Sequence, residues 1–321
     1  MDLILSDLHI GHPQSLLSPV TGKSVPVLDQ FIREIKAQGE VDRLILLGDI
    51  FDFWEESLIT ALTQSHIFFE KINEITDRII YVPGNHDHHI LVLCETIEDI
   101  ALMESGSIPQ RPFRDILRYE FPHTSPDYIE TPFFQGLFPP STSFNMQLSY
   151  PEFSMTWKGK SILFRHGHYL DSGLFQFMAR IYEYLGGKIQ SEKDFEIINT
   201  PIYEHLFYTA PVKEVNKFYN RVNNLFRSFS KKIYKEKVHK TIENRKSDIH
   251  RFFNRFKATY PDILIFGHTH VADRGSLNHM DLYNTGCWIQ EPSIPHTATY
   301  ILIDDSIHIK KVGNQVIYSS E

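Results

Sequence analysis

The chain has 321 residues, with 40 Asp+Glu against 32 Lys+Arg, a formal net charge of -8, and 42% hydrophobic residues. That excludes a disordered or fibrous chain, leaves ample material for a sizeable core, and argues against a generally basic nucleic-acid-binding surface. Its two cysteines, Cys94 and Cys287, give neither a disulfide framework nor a thiolate zinc site, which fits a reducing cytosol, whereas its 17 histidines are a supply of metal ligands and acid/base groups.

Met1 leads straight into Leu3-Ile4-Leu5-Ser6-Asp7 without a basic leader, and no apolar run approaches the ~20 residues that span a bilayer. The expectation is a cytoplasmic chain, at most peripheral to a membrane. Asp2 to Leu5 reads as a short buried strand, and Val27, Leu28, Phe31, Ile32 and Ile35 as one face of a helix. Arg43 to Leu47 is a second strand, Leu58 to Ile75 a helix, Arg78 to Val82 a third strand and Ile90 to Met103 a further helix. This β-α-β-α-β alternation predicts parallel strands covered by helices.

Gly106 to Pro151 carries eight prolines among aromatics and reads as loop with short pieces of structure. Glu152 to Trp157 and Ser161 to Arg165, joined through Lys158-Gly159-Lys160, read as a β-hairpin. Ser172 to Lys257 is predominantly helical, with breaks at Gly186-Gly187 and Pro211. Ile263 to Phe266, Met280 to Tyr283 and Thr299 to Lys310 supply further strands.

Each apolar strand runs into a polar group: Asp7-Leu8-His9, then Gly48-Asp49-Ile50-Phe51-Asp52, then Gly84-Asn85-His86-Asp87, then His166-Gly167-His168, then Gly267-His268-Thr269-His270. Strand ends of an α/β sheet are where ligands bind. In extended backbone, Asp7 and His9 share a side, as do His268 and His270, so each pair can clamp one site. Any one such group is unremarkable on a surface, but five in order, each after a strand, point to a metal site. Carboxylate, imidazole and amide donors without thiolate suit Mn²⁺ first, with Fe²⁺ or Zn²⁺ as alternatives.

This ordered set resembles the calcineurin-like metallophosphoesterases, whose pattern is D-x-H, G-D-x-x-D, G-N-H-D/E, a later H and G-H-x-H. The resemblance implies an α/β fold, a β-sandwich flanked by helices (αββα), carrying two divalent metal ions at one end. It implies one ion held by Asp7, His9 and His270, the other by Asn85, His166 and His268, and Asp49 bridging them. Two ions ~3.5–4 Å apart activate a hydroxide and clamp a phosphoryl group for in-line displacement. His86 resembles the family's catalytic histidine and Asp52 the carboxylate that orients it. His168 is read as lining the site, while His12, His88 and His89 divide evenly between substrate contact and surface exposure. His66, His205, His239 and His308 read as structural or exposed.

Lys213 to Lys257 holds 14 Lys+Arg against four acids, net +10, with apolar residues from Val215 to Ile233 at helical spacing. It reads either as a solvated face over a packed core, or as an amphipathic cap that attracts an anionic substrate or an anionic membrane surface; nucleic acid is the lesser alternative. The expected organisation is a core over residues 1–170, a basic helical cap insertion over 171–257, and the rest of the core over 258–321.

Within the superfamily, Ser6-Asp7-Leu8-His9, Gly48 to Trp54 and Asn284-Thr285-Gly286-Cys287-Trp288 resemble the UDP-2,3-diacylglucosamine hydrolases, which cleave a nucleotide-lipid pyrophosphate at a membrane surface. His86 is a departure, since that group often has Arg there. The resemblance implies a pyrophosphatase or phosphodiesterase acting on an amphipathic nucleotide-lipid. A nucleic-acid or small-molecule phosphodiesterase is the alternative, and a non-catalytic scaffold is disfavoured because every expected ligand and His86 are present.

Overall fold

The computed structural model describes residues 1–18, 24–107, 129–130, 142–170, 174–209 and 241–320. Strands β1 (Asp2–Leu5), β2 (Arg43–Leu47) and β3 (Arg78–Val82) pair in parallel, as the alternation predicts. Their connections are helices α1 (Ser24–Gln38) and α2 (Leu58–Asn73), and α3 (His89–Glu104) follows β3. Ser57 caps α2 by accepting the Thr60 N–H at 3.3 Å, which satisfies one of the free donors of the first turn.

The eight-stranded sheet is completed by β4 (Ile129–Glu130) and β5 (Asn145–Leu148) on one side, and by β11 (Thr299–Ile303), β12 (Ile307–Lys311) and β13 (Gln315–Ser319) on the other. β5 lies in the proline-rich stretch read as loop: four residues placing Met146 and Leu148 inward are too short to register among prolines. The rest of that stretch, 108–128 and 131–141, lies outside the described residues. A second, five-stranded sheet contains the expected hairpin β6 (Glu152–Trp157) and β7 (Lys160–Arg165), then β8 (Ile263–Phe266), β10 (Met280–Asn284) and β9 (Asp273–Leu277).

Alternation along the strands builds the layers. From the first sheet Ile4, Ile45, Leu47, Ile80, Val82 and Ile301 meet Phe153, Ile162, Phe164, Ile263 and Ile265 of the second, forming a core between the sheets. Their neighbours Leu3, Leu5, Leu44, Leu46 and Ile79 point the other way, onto Phe31 and Ile35 of α1 and Phe68, Phe69 and Ile72 of α2. Leu264, Phe266 and Leu282 of the second sheet pack against helices that lie, among the described residues, between β7 and β8: α4 (Leu174–Tyr184), α5 (Glu192–Thr209) and α6 (Ile242–Phe256). The result is helix, sheet, sheet, helix, the αββα order expected. Period two supplies both faces of a doubly covered sheet only when every strand position is apolar, which explains the continuous apolar runs.

The break expected at Gly186-Gly187 separates α4 from α5, whereas the break expected at Pro211 and most of the basic amphipathic run, 210–240, lie outside the described residues. No helix among the described residues is long and apolar enough to cross a membrane.

Candidate metal centre

β1, β2 and β3 are parallel, and so are β7 and β8, so five strands deliver their following residues to one end of the sandwich. The loops are stitched together by backbone bonds: Asp7 N–H donates to the Gly48 carbonyl at 3.0 Å, His9 N–H to Asp49 at 2.9 Å, and Gly267 N–H to His166 at 2.9 Å. Asp7, His9, Asp49, His268 and His270 all adopt left-handed backbone, φ between 46° and 67°. The extended geometry expected for Asp7-Leu8-His9 and His268-Thr269-His270 is therefore wrong. The chain coils at each strand end, a conformation that costs ~1–3 kcal/mol per residue and clusters at functional sites.

Two glycines make the approach possible. A Cβ on Gly84 would collide with the Asp49 carboxylate, and one on Gly267 with the Asp7 carboxylate and the Ser6 hydroxyl. Side chains that must reach a common point from facing loops leave no room for more.

Three groups of donors come within 4.8 Å of one another: Asp7, His9 and His270; Asp49, His166 and His268; and His9, Asp49 and His86. Asp49 and His9 belong to more than one group, so the donors form a continuous strip. His270 Nε2 lies 3.3 Å from Asp7 Oδ1, and His166 Nε2 lies 3.1 Å from Asp49 Oδ2. His268 and His270 fall into different groups, which corrects the expectation that the pair clamps one site. Asn85 is buried, and its Oδ1 has no hydrogen-bond partner among the described residues.

Supporting groups set each ring. His166 Nδ1–H donates to the Leu47 carbonyl at 3.0 Å, which turns Nε2 toward Asp49 Oδ2. Asp52 accepts from His9 Nδ1 at 3.0 Å and His86 Nδ1 at 2.9 Å, one on each oxygen. The expectation for Asp52 was contact with His86 alone. Trp54 stacks on His86 with centroids 3.9 Å apart.

The electrostatics are those of buried carboxylates facing imidazoles. Burial alone would raise Asp49 and Asp52, but nearby histidines (His166 and His86 for Asp49, His86 and His9 for Asp52) hold both carboxyls well below their ordinary value. For His86 and His166 burial pulls down, yet Asp52 and Asp49, and Asp49 respectively, raise each to about 9. Among the described residues no Lys or Arg pairs with Asp7, Asp49 or Asp52. Buried carboxylates, imidazole nitrogens and an orphaned amide oxygen, with no fixed cation, are a donor set that fits divalent metal ions.

Four residues given no role from sequence shape this end. Asp87 accepts from Gly84 N–H and Ile50 N–H at 2.6 Å each and from the Tyr81 hydroxyl at 2.5 Å, tying the second and third loops together. Its carboxyl is raised to about 6, by burial and then Asp49. Ser6 bonds Asp7 and Thr285, and Trp288 N–H donates to the Asp7 carbonyl at 3.0 Å. The Asn284-to-Trp288 phrase thus buttresses the first loop. Asp87 was visible as the fourth letter of its motif, and Ser6, Thr285 and Trp288 stood in phrases noted for their resemblance, but nothing local showed that they bond to the first loop.

The other histidines divide differently from expectation. His12 sits half-buried at the rim, its ring 6.4 Å from that of His9. His168 is buried and belongs to none of the three groups. His88 and His89, expected at the substrate or on the surface, are both buried.

The αββα sandwich thus carries at its strand ends an Asp/His/Asn strip whose donors can hold metal ions. The chain belongs to the calcineurin-like phosphoesterase family, whose pattern matches residues 3–272 and so covers every one of these side chains. An uncharacterized protein of Acanthamoeba polyphaga mimivirus is 34% identical over 87 residues, 27% of this chain and 26% of that one, so the match spans about a quarter of that relative. Among solved structures, the phosphoesterase YfcE from E. coli is similar at 10% identity and TM-score 0.39, over 99% of this chain and 97% of that one. A protein of Pyrococcus horikoshii is similar at 11% identity and TM-score 0.40, over 97% and 88%.

Proposed function

We propose that the chain hydrolyses phosphodiester or pyrophosphate bonds with two divalent metal ions, one held by Asp7, His9 and His270, the other by Asn85, His166 and His268, with Asp49 serving both. What carries this reading is the meeting of the two His/Asp groups at one buried strip, where Asp49 Oδ2 lies 3.1 Å from His166 and 3.8 Å from His9. When bound, such ions polarise phosphoryl oxygens and lower the pKa of water.

His86 is the proton carrier in this proposal. Its Nδ1–H is committed to Asp52, and Trp54 stacks on its ring, so Nε2 is left to face the substrate. In this proposal Asp52, which holds the ring and favours its charged form, lets His86 give its Nε2 proton to the departing oxygen. Asp52 balances that charge and orients the ring.

For the substrate we propose an amphipathic nucleotide-lipid, with UDP-2,3-diacylglucosamine as the test compound and Mn²⁺ as the metal. The sequence phrases support it, as do Tyr184 and Leu185, which lie 90% and 77% exposed at the end of α4. In that reading the segment over residues 171–257 serves as the cap, meeting substrate or an anionic membrane surface.

Chelated protein should lose hydrolysis of bis(p-nitrophenyl) phosphate and regain it with Mn²⁺. His86→Ala should lower kcat by about 10²- to 10⁴-fold with metal content intact. Absence of hydrolysis with Mn²⁺, Fe²⁺ and Zn²⁺ alike would overturn the proposal, and cleavage of single-stranded DNA but not the nucleotide-lipid would overturn the substrate.

A further inference from the structure

His88 and His89 follow Asn85-His86-Asp87 directly, yet they face helix α5 and not the solvent. His88 Nε2 lies 2.5 Å from Oε1 of Glu196, which is completely buried on α5. Two turns along, Tyr203 stacks on the His88 ring at 4.4 Å and 21°, and its hydroxyl donates to that of Tyr169 at 3.0 Å. One turn further, Phe207 stacks on His89 at 3.4 Å and 11°. Glu196, Tyr203 and Phe207 recur at the spacing of one helix face. From another direction Trp54, stacked on His86, packs against the cluster that contains Tyr169, Phe195 and Tyr203. Helix α5 therefore touches the His86 loop by two routes.

The chemistry of the main contact is poorly suited to holding a helix down by strength. Burying an imidazole–carboxylate pair costs about as much desolvation as its attraction returns. His88 Nδ1, Glu196 Oε2 and Asn199 Oδ1 are in addition buried without hydrogen-bond partners among the described residues. An apolar face would attach α5 more firmly. What a short directional bond adds is register: it fixes the rotation and height of α5 against one ring. That ring is rigidly coupled to the metal strip. Leu91 N–H donates to the His88 carbonyl and Ile90 N–H to that of Asp87, both at 3.0 Å, while the Asp87 carboxylate holds Gly84 N–H.

We propose that His88 and Glu196 are positioning residues, a buried joint through which helix α5 sets the placement of the Asn85-His86 loop. The proposal rests on the hydrolase reading above and adds to it that part of the reaction geometry comes from the segment between β7 and β8. Moving α5 moves the loop.

The test uses the full chain, metal-loaded. Glu196→Ala should lower kcat on bis(p-nitrophenyl) phosphate about tenfold, with KM within about twofold and metal content unchanged. Amide exchange across residues 84–91 should quicken about tenfold while α1 is unaffected. Glu196→Gln, which keeps an acceptor, should restore both readouts; should the alanine variant not fold, Glu196→Asp withdraws the acceptor more gently. Unchanged exchange at 84–91, or unchanged kcat per metal-loaded site, would overturn the joint. If the wild-type chain hydrolyses nothing with any divalent ion, the hydrolase reading fails, and exchange at 84–91 alone decides whether the pair holds the loop.

Discussion

Asp52 Oδ1 lies 2.9 Å from Nδ1 of His86. The same carboxylate takes His9 through its other oxygen at 3.0 Å, and Trp54 and Glu55 N–H groups both donate to Oδ1 at 3.2 Å. One buried acid thus orients a proposed metal ligand and a proposed proton donor together. Asp52→Asn keeps the shape but replaces an acceptor by a donor, which one of the two rings cannot meet. We expect activity to fall of the order of 10- to 100-fold, as for the carboxylate partners of metal-bound histidines. Steady-state kinetics with metal analysis checks this; wild-type kcat in the variant would contradict it.

Gly267 lies where any Cβ would strike the Asp7 carboxylate and the Ser6 hydroxyl. Gly267→Ala should therefore displace Asp7 and weaken metal binding of the order of 10- to 100-fold. Bound metal measured after dialysis against a fixed free concentration, beside the wild-type chain, decides the matter. Equal metal content in the two proteins would count against the geometry.

His86 and His166 are both raised to about 9, against ~6.5 in an unfolded chain. A raised folded pKa contributes stability that is fully present below about pH 6.5 and is lost as pH climbs through about 9. The depressed carboxyls of Asp7, Asp49 and Asp52 work oppositely: their contribution is present above about pH 3.9 and lost below it. In metal-stripped protein the urea midpoint should thus be higher at about pH 6 than at about pH 9. His86→Gln should flatten that slope, and a midpoint that rises with pH would refute the assignment.

The five polar groups were legible because each follows a short apolar run, and each such run became a strand. The αββα layering was legible for a related reason: continuous apolar strands alternating with helices have few ways to cover both faces. β5 was not legible, because four residues between prolines carry too little periodicity. The local geometry of the metal strip was misjudged for a physical reason. Period two holds only in extended backbone, and Asp7, His9, His268 and His270 have left it for the left-handed region.

By itself, then, the sequence determined which donors this chain owns, the order in which strands present them, and the family to which they belong. Only the tertiary structure decided how the donor loops coil against one another, that Asp52 serves two rings, and that His88 and His89 turn inward. Those relations join residues far apart in the chain, 261 between His9 and His270 and 108 between His88 and Glu196. No local pattern encodes such a pairing; it is set by the packing of two sheets and the helices over them.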